Sequence, residues 1–248
     1  MLFYLNKDEY IDTLKPLDIS IEMSGETPGL VAWGQNTPII EPVRDEHFIG
    51  SIKEGGVVNF NNIAFNPHAH ITHTECCGHI TEGFFSVNDV LKSYFFEAQL
   101  LTVIPEGGED KSVSLSQIKN IGIVKGVKAL VIRTLPNNER KTRANYTDSN
   151  PPFLDSNIAE YLINNGIEHL LVDLPSVDQE RDGGALAFHH AYWNVPNKPN
   201  TTRTITEFIF VSEHVKDGNY ILELQVGPLK NDASPSRPVL YKKMKCRI

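Results

Sequence analysis

The sequence predicts an α/β domain built on a large mixed β-sheet. Three observations carry this. Apolar runs at 129–134 (ALVIRT) and 169–174 (HLLVDL) flank a segment with Ile158, Tyr161 and Leu162 at helical spacing, a strand–helix–strand order. Strand-like segments outnumber helical ones. The 248 residues suit one large domain, and no repeat, low-complexity tract or linker divides residues 1–248.

The elements follow in chain order. Ile19–Met23 alternates apolar and polar residues, as a half-buried strand does. Val57–Phe60 and Ile63–Phe65 read as a strand pair around Asn61-Asn62. Ser86, with Asp89 three residues on, opens a capped helix. Residues 98–104 (AQLLTVI) form a buried strand, and a short helix begins at Ser114. Residues 156–165 form the helix between the two strong strands, with Gly166 placed to cap its C-terminus. Thr204–Val211 and Tyr220–Val226 complete the strands.

Composition excludes several classes. The 23 basic and 31 acidic residues give a net charge of −8, which argues against a nucleic-acid binder. No stretch approaches the roughly 18 apolar residues of a membrane span. The N-terminal apolar run stops at Asn6, too soon for a secretory signal. Three cysteines, two of them adjacent, are not a disulfide framework. A cytoplasmic protein is the expectation.

Histidine is the anomaly. Four of nine, His68, His70, His73 and His79, fall within twelve residues and surround Glu75. His73, Glu75 and His79 stand at i, i+2 and i+6, so an extended segment points all three to one face. The β-branched Thr72 and Thr74 favour that conformation. Imidazole nitrogen with carboxylate oxygen suits zinc, manganese or iron. Three other readings compete. One is a His-rich surface loop without metal. Another is a structural zinc site on Cys76 and Cys77, although adjacent side chains diverge. The third is a thiolate–imidazolium nucleophile at Cys76 or Cys77, which leaves Glu75 without a role. Distant candidates for a metal shell are His189-His190 and Glu207, a carboxylate in an apolar strand. Asp173 and Asp178 end a strand, where α/β sheets place their sites.

These residues resemble the cyclase-like metal-dependent hydrolases, the family of bacterial arylformamidases. Thr72-His73-Thr74-Glu75-Cys76-Cys77-Gly78-His79 looks like the later part of that family's H-x-G-T-H-x-D-x-P-x-H motif. Five further segments match in order: Pro16–Ser20, Ala129–Thr134, Asp173–Asp178, the pair His189 and Glu207, and Ser234–Arg237. There are departures. Glu75 replaces Asp, Cys77 replaces Pro and Ile71 replaces Gly. The first motif His falls at Ala69, between His68 and His70, and His68 is preferred. Pro196–Asn200 reads as an insertion.

The resemblance implies a swivelling β/β/α domain assembled as a homodimer or homotetramer. It implies one or two divalent ions, Zn or Mn, on His68, His73, Glu75, His79, His189 and Glu207, with His190 as the alternative to His189. The activity implied is hydrolysis of a small molecule, an aryl formamide such as N-formylkynurenine, by metal-activated water. Hydrolysis or cyclisation of another cyclic amide or lactone is the alternative within the family. A metal-binding protein without turnover is the alternative outside it. His70, His190 and Glu82 are candidates to protonate the leaving amine. Tyr192 and Trp193 are candidates to wall an aryl substrate, whereas Phe84 and Phe85 read more readily as core.

Overall fold

A computed structural model describes residues 1–246; Arg247 and Ile248, at the end of the span read as one domain, lie outside the described residues. The chain winds around a nine-stranded mixed sheet. Its strands are β1 (Leu17–Asp18), β2 (His73–Glu75), β3 (Phe95–Val103), β4 (Ala129–Thr134), β5 (His169–Val172), β6 (Thr204–Glu207), β7 (Gly218–Glu223), β8 (Ala233–Pro235) and β9 (Val239–Lys242). In space they run β8-β2-β6-β5-β4-β3-β7-β9-β1. The middle four, β6-β5-β4-β3, are parallel. Antiparallel strands flank them on both sides. The expected α/β architecture with a large mixed sheet is thus observed.

The central parallel strands β4 and β5 are mostly apolar because both faces are covered. In β4, Leu130 and Ile132 pack on one face, Ala129 and Val131 on the other. The first face carries the helices α3 (Leu115–Ile121), α4 (Asn157–Asn164) and α5 (Ala187–Trp193), which contribute Ile118, Ile158, Leu162 and Phe188 to one core. The second face is closed by Ile19, Leu91, Val211 and Leu224. Helix α3 begins at a capping box in which Ser114 and Gln117 satisfy each other's backbone N–H groups. Gly166 follows α4 at φ +77, a conformation that glycine adopts without strain. Two one-turn helices, α1 (Pro67–His70) and α2 (Val87–Val90), flank the histidine segment.

Three local expectations are corrected. Ile19–Met23 is not a strand: Ser20 makes a single bridge to Ile209, and the Ile21 N–H is taken by the Thr72 hydroxyl at 2.6 Å. Residues 57–60 are not a strand either, because Phe60 spends its backbone groups on Gly50 and Val43. Instead Asn61–Ala64 pairs with Ile39–Pro42 in a separate ribbon, on which Ile39 and Ile63 are more than half exposed. Ser86 does cap α2, but it accepts from Asn88 N–H rather than pairing with Asp89. Among the described residues no helix is long and apolar enough to cross a membrane.

Candidate metal centre

The histidine segment enters the sheet as β2, between β6 and β8. Alternation then separates its side chains into two sets. Thr72 and Thr74 turn to one side. The Thr72 hydroxyl donates to the Phe208 carbonyl, and Thr74 meets the Thr206 hydroxyl at 2.8 Å. His73 and Glu75 turn to the other side, both fully buried. The β2–β6 register sets Glu207 directly opposite His73, so the Glu207 carboxylate lies 3.4 Å from His73 Nε2. Phe208 breaks β6 immediately afterwards with φ +55, a strained value for a bulky residue, and its ring packs 5.9 Å from that of His73.

His79 does not stay on the strand. The extended segment ends at Glu75, and a 3₁₀ turn over Cys77–Ile80 carries His79 back to 3.9 Å from Glu75 Oε2. His68 arrives from α1, whose cap, Asn66, accepts the His68 N–H at 2.9 Å. Its Nδ1 lies 3.2 Å from Glu75 Oε2. His189 arrives from α5. Asp178 caps that helix through Phe188 and His189 N–H, and its carboxylate accepts His189 Nδ1–H at 2.5 Å. His189 Nε2 is thereby aimed at Glu75 Oε1, 3.0 Å away. Glu75 is the hub.

Two triads share this hub: His68, Glu75, His79 and His73, Glu75, Glu207, each with ligand atoms within 4.8 Å of one another. Burial opposes charge on His68, but Asp232 and Glu75 outweigh it and push the ring up to about 10. Burial likewise opposes charge on His189, and Asp178 and Glu75 push it up to about 10. Burial also works against the Glu75 charge, yet His79, His189 and His68 hold that carboxyl well below the usual range.

The donor set fits a divalent ion. His73 Nδ1 donates to the Ile71 carbonyl at 3.1 Å, so in the neutral ring the lone pair is on Nε2. That Nε2 and Glu75 Oε2 are buried and make no well-aligned hydrogen bond among the described residues, although His68 Nδ1 stands 3.2 Å from Oε2. Leaving two such atoms unsatisfied costs about 1–3 kcal/mol each. Both point into the cluster, and nitrogen with carboxylate oxygen is the chemistry of a zinc or manganese site.

Comparison with known proteins decides the family. The profile of the Cyclase family, described as "Putative cyclase", matches residues 17–179, more than half of the chain. The chain belongs to this family. It is 28% identical over 244 residues to a kynurenine formamidase of Bacillus cereus, covering 95% of this chain and 99% of that protein. Its fold is also that of a predicted metal-dependent hydrolase from Bacillus stearothermophilus (TM-score 0.63, 16% identity, 92% of this chain and 98% of that one). Isatin hydrolase A from Labrenzia aggregata is similar (TM-score 0.65, 14% identity, 92% and 93%).

Within this Cyclase-family fold, the six residues expected as ligands all come together, His68 and His189 lying at the cluster and His70 and His190 apart from it. His70 sits on the same single turn as His68, where positions i and i+2 diverge. Its Nδ1 accepts the Asn66 N–H at 2.9 Å, which ties it to its own helix. His190 faces away from His189 and meets the Val195 carbonyl at 3.2 Å. Glu82 is exposed in the following loop. No hydrogen bond or ion pair among the described residues joins His70, His190 or Glu82 to the cluster.

The aromatic expectation is corrected. Tyr192 and Trp193 are fully buried, with Tyr192 OH on the Ile167 carbonyl and Trp193 Nε1 on the Arg203 carbonyl. They are core and do not wall a substrate. Phe84, expected inside, is 65% exposed, whereas Phe85 does pack against the core. Cys76 and Cys77 are both buried, and their mutual contact pushes the Cys76 thiol up and the Cys77 thiol down. Asp173 is committed elsewhere, accepting from Thr134 and Lys141.

Two residues at the cluster were not anticipated. Trp33, about one-third exposed, donates its indole N–H to the His68 carbonyl at 2.9 Å. Asp232 contacts His68 and His79. Neither lies near the histidine motif in sequence. Trp33 takes a left-handed conformation (φ +58), a feature visible only in the structure.

Proposed function

We propose that the protein is a metal-dependent amide hydrolase acting on aryl formamides such as N-formylkynurenine, with one or two Zn or Mn ions held by His68, His73, Glu75, His79, His189 and Glu207. The observation that carries this is the buried Glu75 hub with its unsatisfied oxygen beside the unsatisfied His73 Nε2, in a chain similar to kynurenine formamidases over almost its whole length. A bound divalent ion supplies Lewis acidity and lowers the pKa of the water it holds from 15.7 to about 7.

The chain's own residues prepare that chemistry. Asp178 holds the proton on His189 Nδ1 and so keeps Nε2 directed at Glu75. The Ile71 carbonyl does the same for His73. Val177 N–H fixes one Glu207 oxygen at 3.1 Å, leaving the other toward His73. His68 and His79 line the open side, with side chains 18% and 32% exposed against 0% for Glu75. Trp33 flanks the same side through its bond to the His68 carbonyl, and its exposed indole is the aromatic surface offered to an aryl substrate. His70, His190 and Glu82 are set aside as proton donors because their bonds and exposure keep them apart from the cluster.

The reading includes a cytoplasmic enzyme that works as a homodimer or homotetramer on a small molecule. The apolar ribbon 39–64 supports an assembled form, since a lone two-stranded ribbon is marginal in water. The test is turnover of N-formylkynurenine by Zn- or Mn-loaded protein, alongside other aryl formamides, lactones and cyclic imides. Formamide hydrolysis abolished by chelator and restored by metal is expected. Stoichiometric metal with no turnover across the panel overturns the enzymatic reading.

A further inference from the structure

We propose that Asp232 is a positioning residue of this centre, holding the His68 and His79 rings so that their opposite nitrogens face Glu75. The inference rests on the reading of the cluster as a metal site. A single oxygen, Asp232 Oδ2, lies 2.9 Å from His68 Nε2 and 3.3 Å from His79 Nδ1. The other nitrogen of each ring faces Glu75 Oε2: His68 Nδ1 at 3.2 Å and His79 Nε2 at 3.9 Å. The two rings are stacked, 4.3 Å between centroids and 25° apart. One carboxylate therefore brackets the pair from outside while Glu75 brackets it from within.

The chemistry follows from the tautomers. A carboxylate only accepts, so the ring nitrogens facing Asp232 carry hydrogen. In the neutral rings that leaves the lone pairs on the nitrogens facing Glu75, which is the form that binds a cation. Asp232 thus selects the binding tautomer of two rings at once, as Asp178 does for His189.

The backbone fixes the carboxylate in place. The Asp232 carbonyl accepts the Cys76 N–H at 3.1 Å, and the neighbouring Asn231 carbonyl accepts Val87 N–H at 2.9 Å. Asn88 ties the same loop down through the Gly227 and Leu229 carbonyls. Gly78 permits the approach, because a Cβ there would stand 3.2 Å from Asp232 Cβ and 2.3 Å from the Phe85 carbonyl oxygen. Asp232 is placed by the sheet edge and by α2, not by the histidines it touches.

The experiment compares wild type with Asp232→Ala, Asp232→Asn and Asp232→Glu. Zinc and manganese affinities are measured by competition with a chromogenic chelator, bound ions per chain are counted, and the visible spectrum of the Co(II)-loaded protein is recorded. The expected result for Asp232→Ala is roughly 10–100-fold weaker binding with an unchanged ion count and a shifted cobalt spectrum. Asp232→Asn, which keeps an acceptor oxygen and the side-chain shape, loses less, and Asp232→Glu recovers part of the loss. Wild-type affinity and spectrum in Asp232→Ala overturn the proposal. Loss of an ion from the count in Asp232→Asn also overturns it, by making Asp232 a ligand. A wild-type chain that takes up no ion at this cluster refutes the metal reading itself, before any variant is compared.

Discussion

Replacing Glu75 by Gln removes the hub's charge and keeps its shape. The side chain is fully buried and faces His68 at 3.2 Å, His189 at 3.0 Å and His79 at 3.9 Å. Without Glu75, the imidazolium charges of the metal-free protein lose a buried partner, and breaking such a pair by removing one member costs about 3–5 kcal/mol. At about 2–4 °C per kcal/mol for a chain of this size, melting should fall by roughly 10 °C. The cost depends on pH, and its sign is fixed. His68 and His189 have folded-state values raised from 6.5 to about 10, so their contribution is complete below pH 6.5 and fades as pH rises toward 10. The variant's deficit should therefore be largest near pH 6 and should shrink toward pH 10. Thermal melts of metal-free protein across that range measure it, with metal content as the second readout. Metal binding should be lost. A variant that keeps wild-type metal occupancy, or a deficit that grows with pH, refutes the reasoning.

Other perturbations test separate parts of the structure. His169 is buried against the Phe96 ring and is pushed down from 6.5 to about 4, chiefly by burial. As pH falls from 6.5 to 4 the unfolded chain takes up this proton first, so wild type should lose about 3 kcal/mol that His169→Asn does not, as read by urea unfolding at each pH. Trp33→Ala should raise KM for aryl formamides roughly 5–10-fold, the worth of one aromatic contact, with kcat little changed; an unaltered KM removes Trp33 from the substrate surface. Ile63→Lys on the exposed ribbon should shift the protein toward monomer in light scattering, and an unchanged mass at that substitution argues that the ribbon serves no assembly.

Much of the sheet was legible because its two central parallel strands are covered on both faces and read as mainly apolar runs: 129–134 was recovered intact and 169–174 shortened by two residues. The sheet's margins were not, since alternation at 19–23 and β-branched residues at 57–60 suggest ladders that side-chain hydroxyls and loop carbonyls satisfy instead. The site splits along the same line. His73 and Glu75 share a face by strand alternation, which needs only local spacing. Asp232 meets His68 across 164 residues of sequence, and Trp33 meets it across 35, so topology alone unites them. Tyr192 and Trp193 show why aromatics mislead: a helix that brings a histidine to the cluster also carries core residues beside it, and composition does not separate the two.

The most direct measurement is an anomalous difference map from crystals loaded with manganese or zinc. One or two peaks are expected about 2.0–2.2 Å from the Glu75 carboxylate, with nitrogen or oxygen of His73, Glu207, His68, His79 or His189 completing the shell. Peaks confined to exposed carboxylates, with Glu75 still facing only its histidines in a fully loaded crystal, would contradict that expectation.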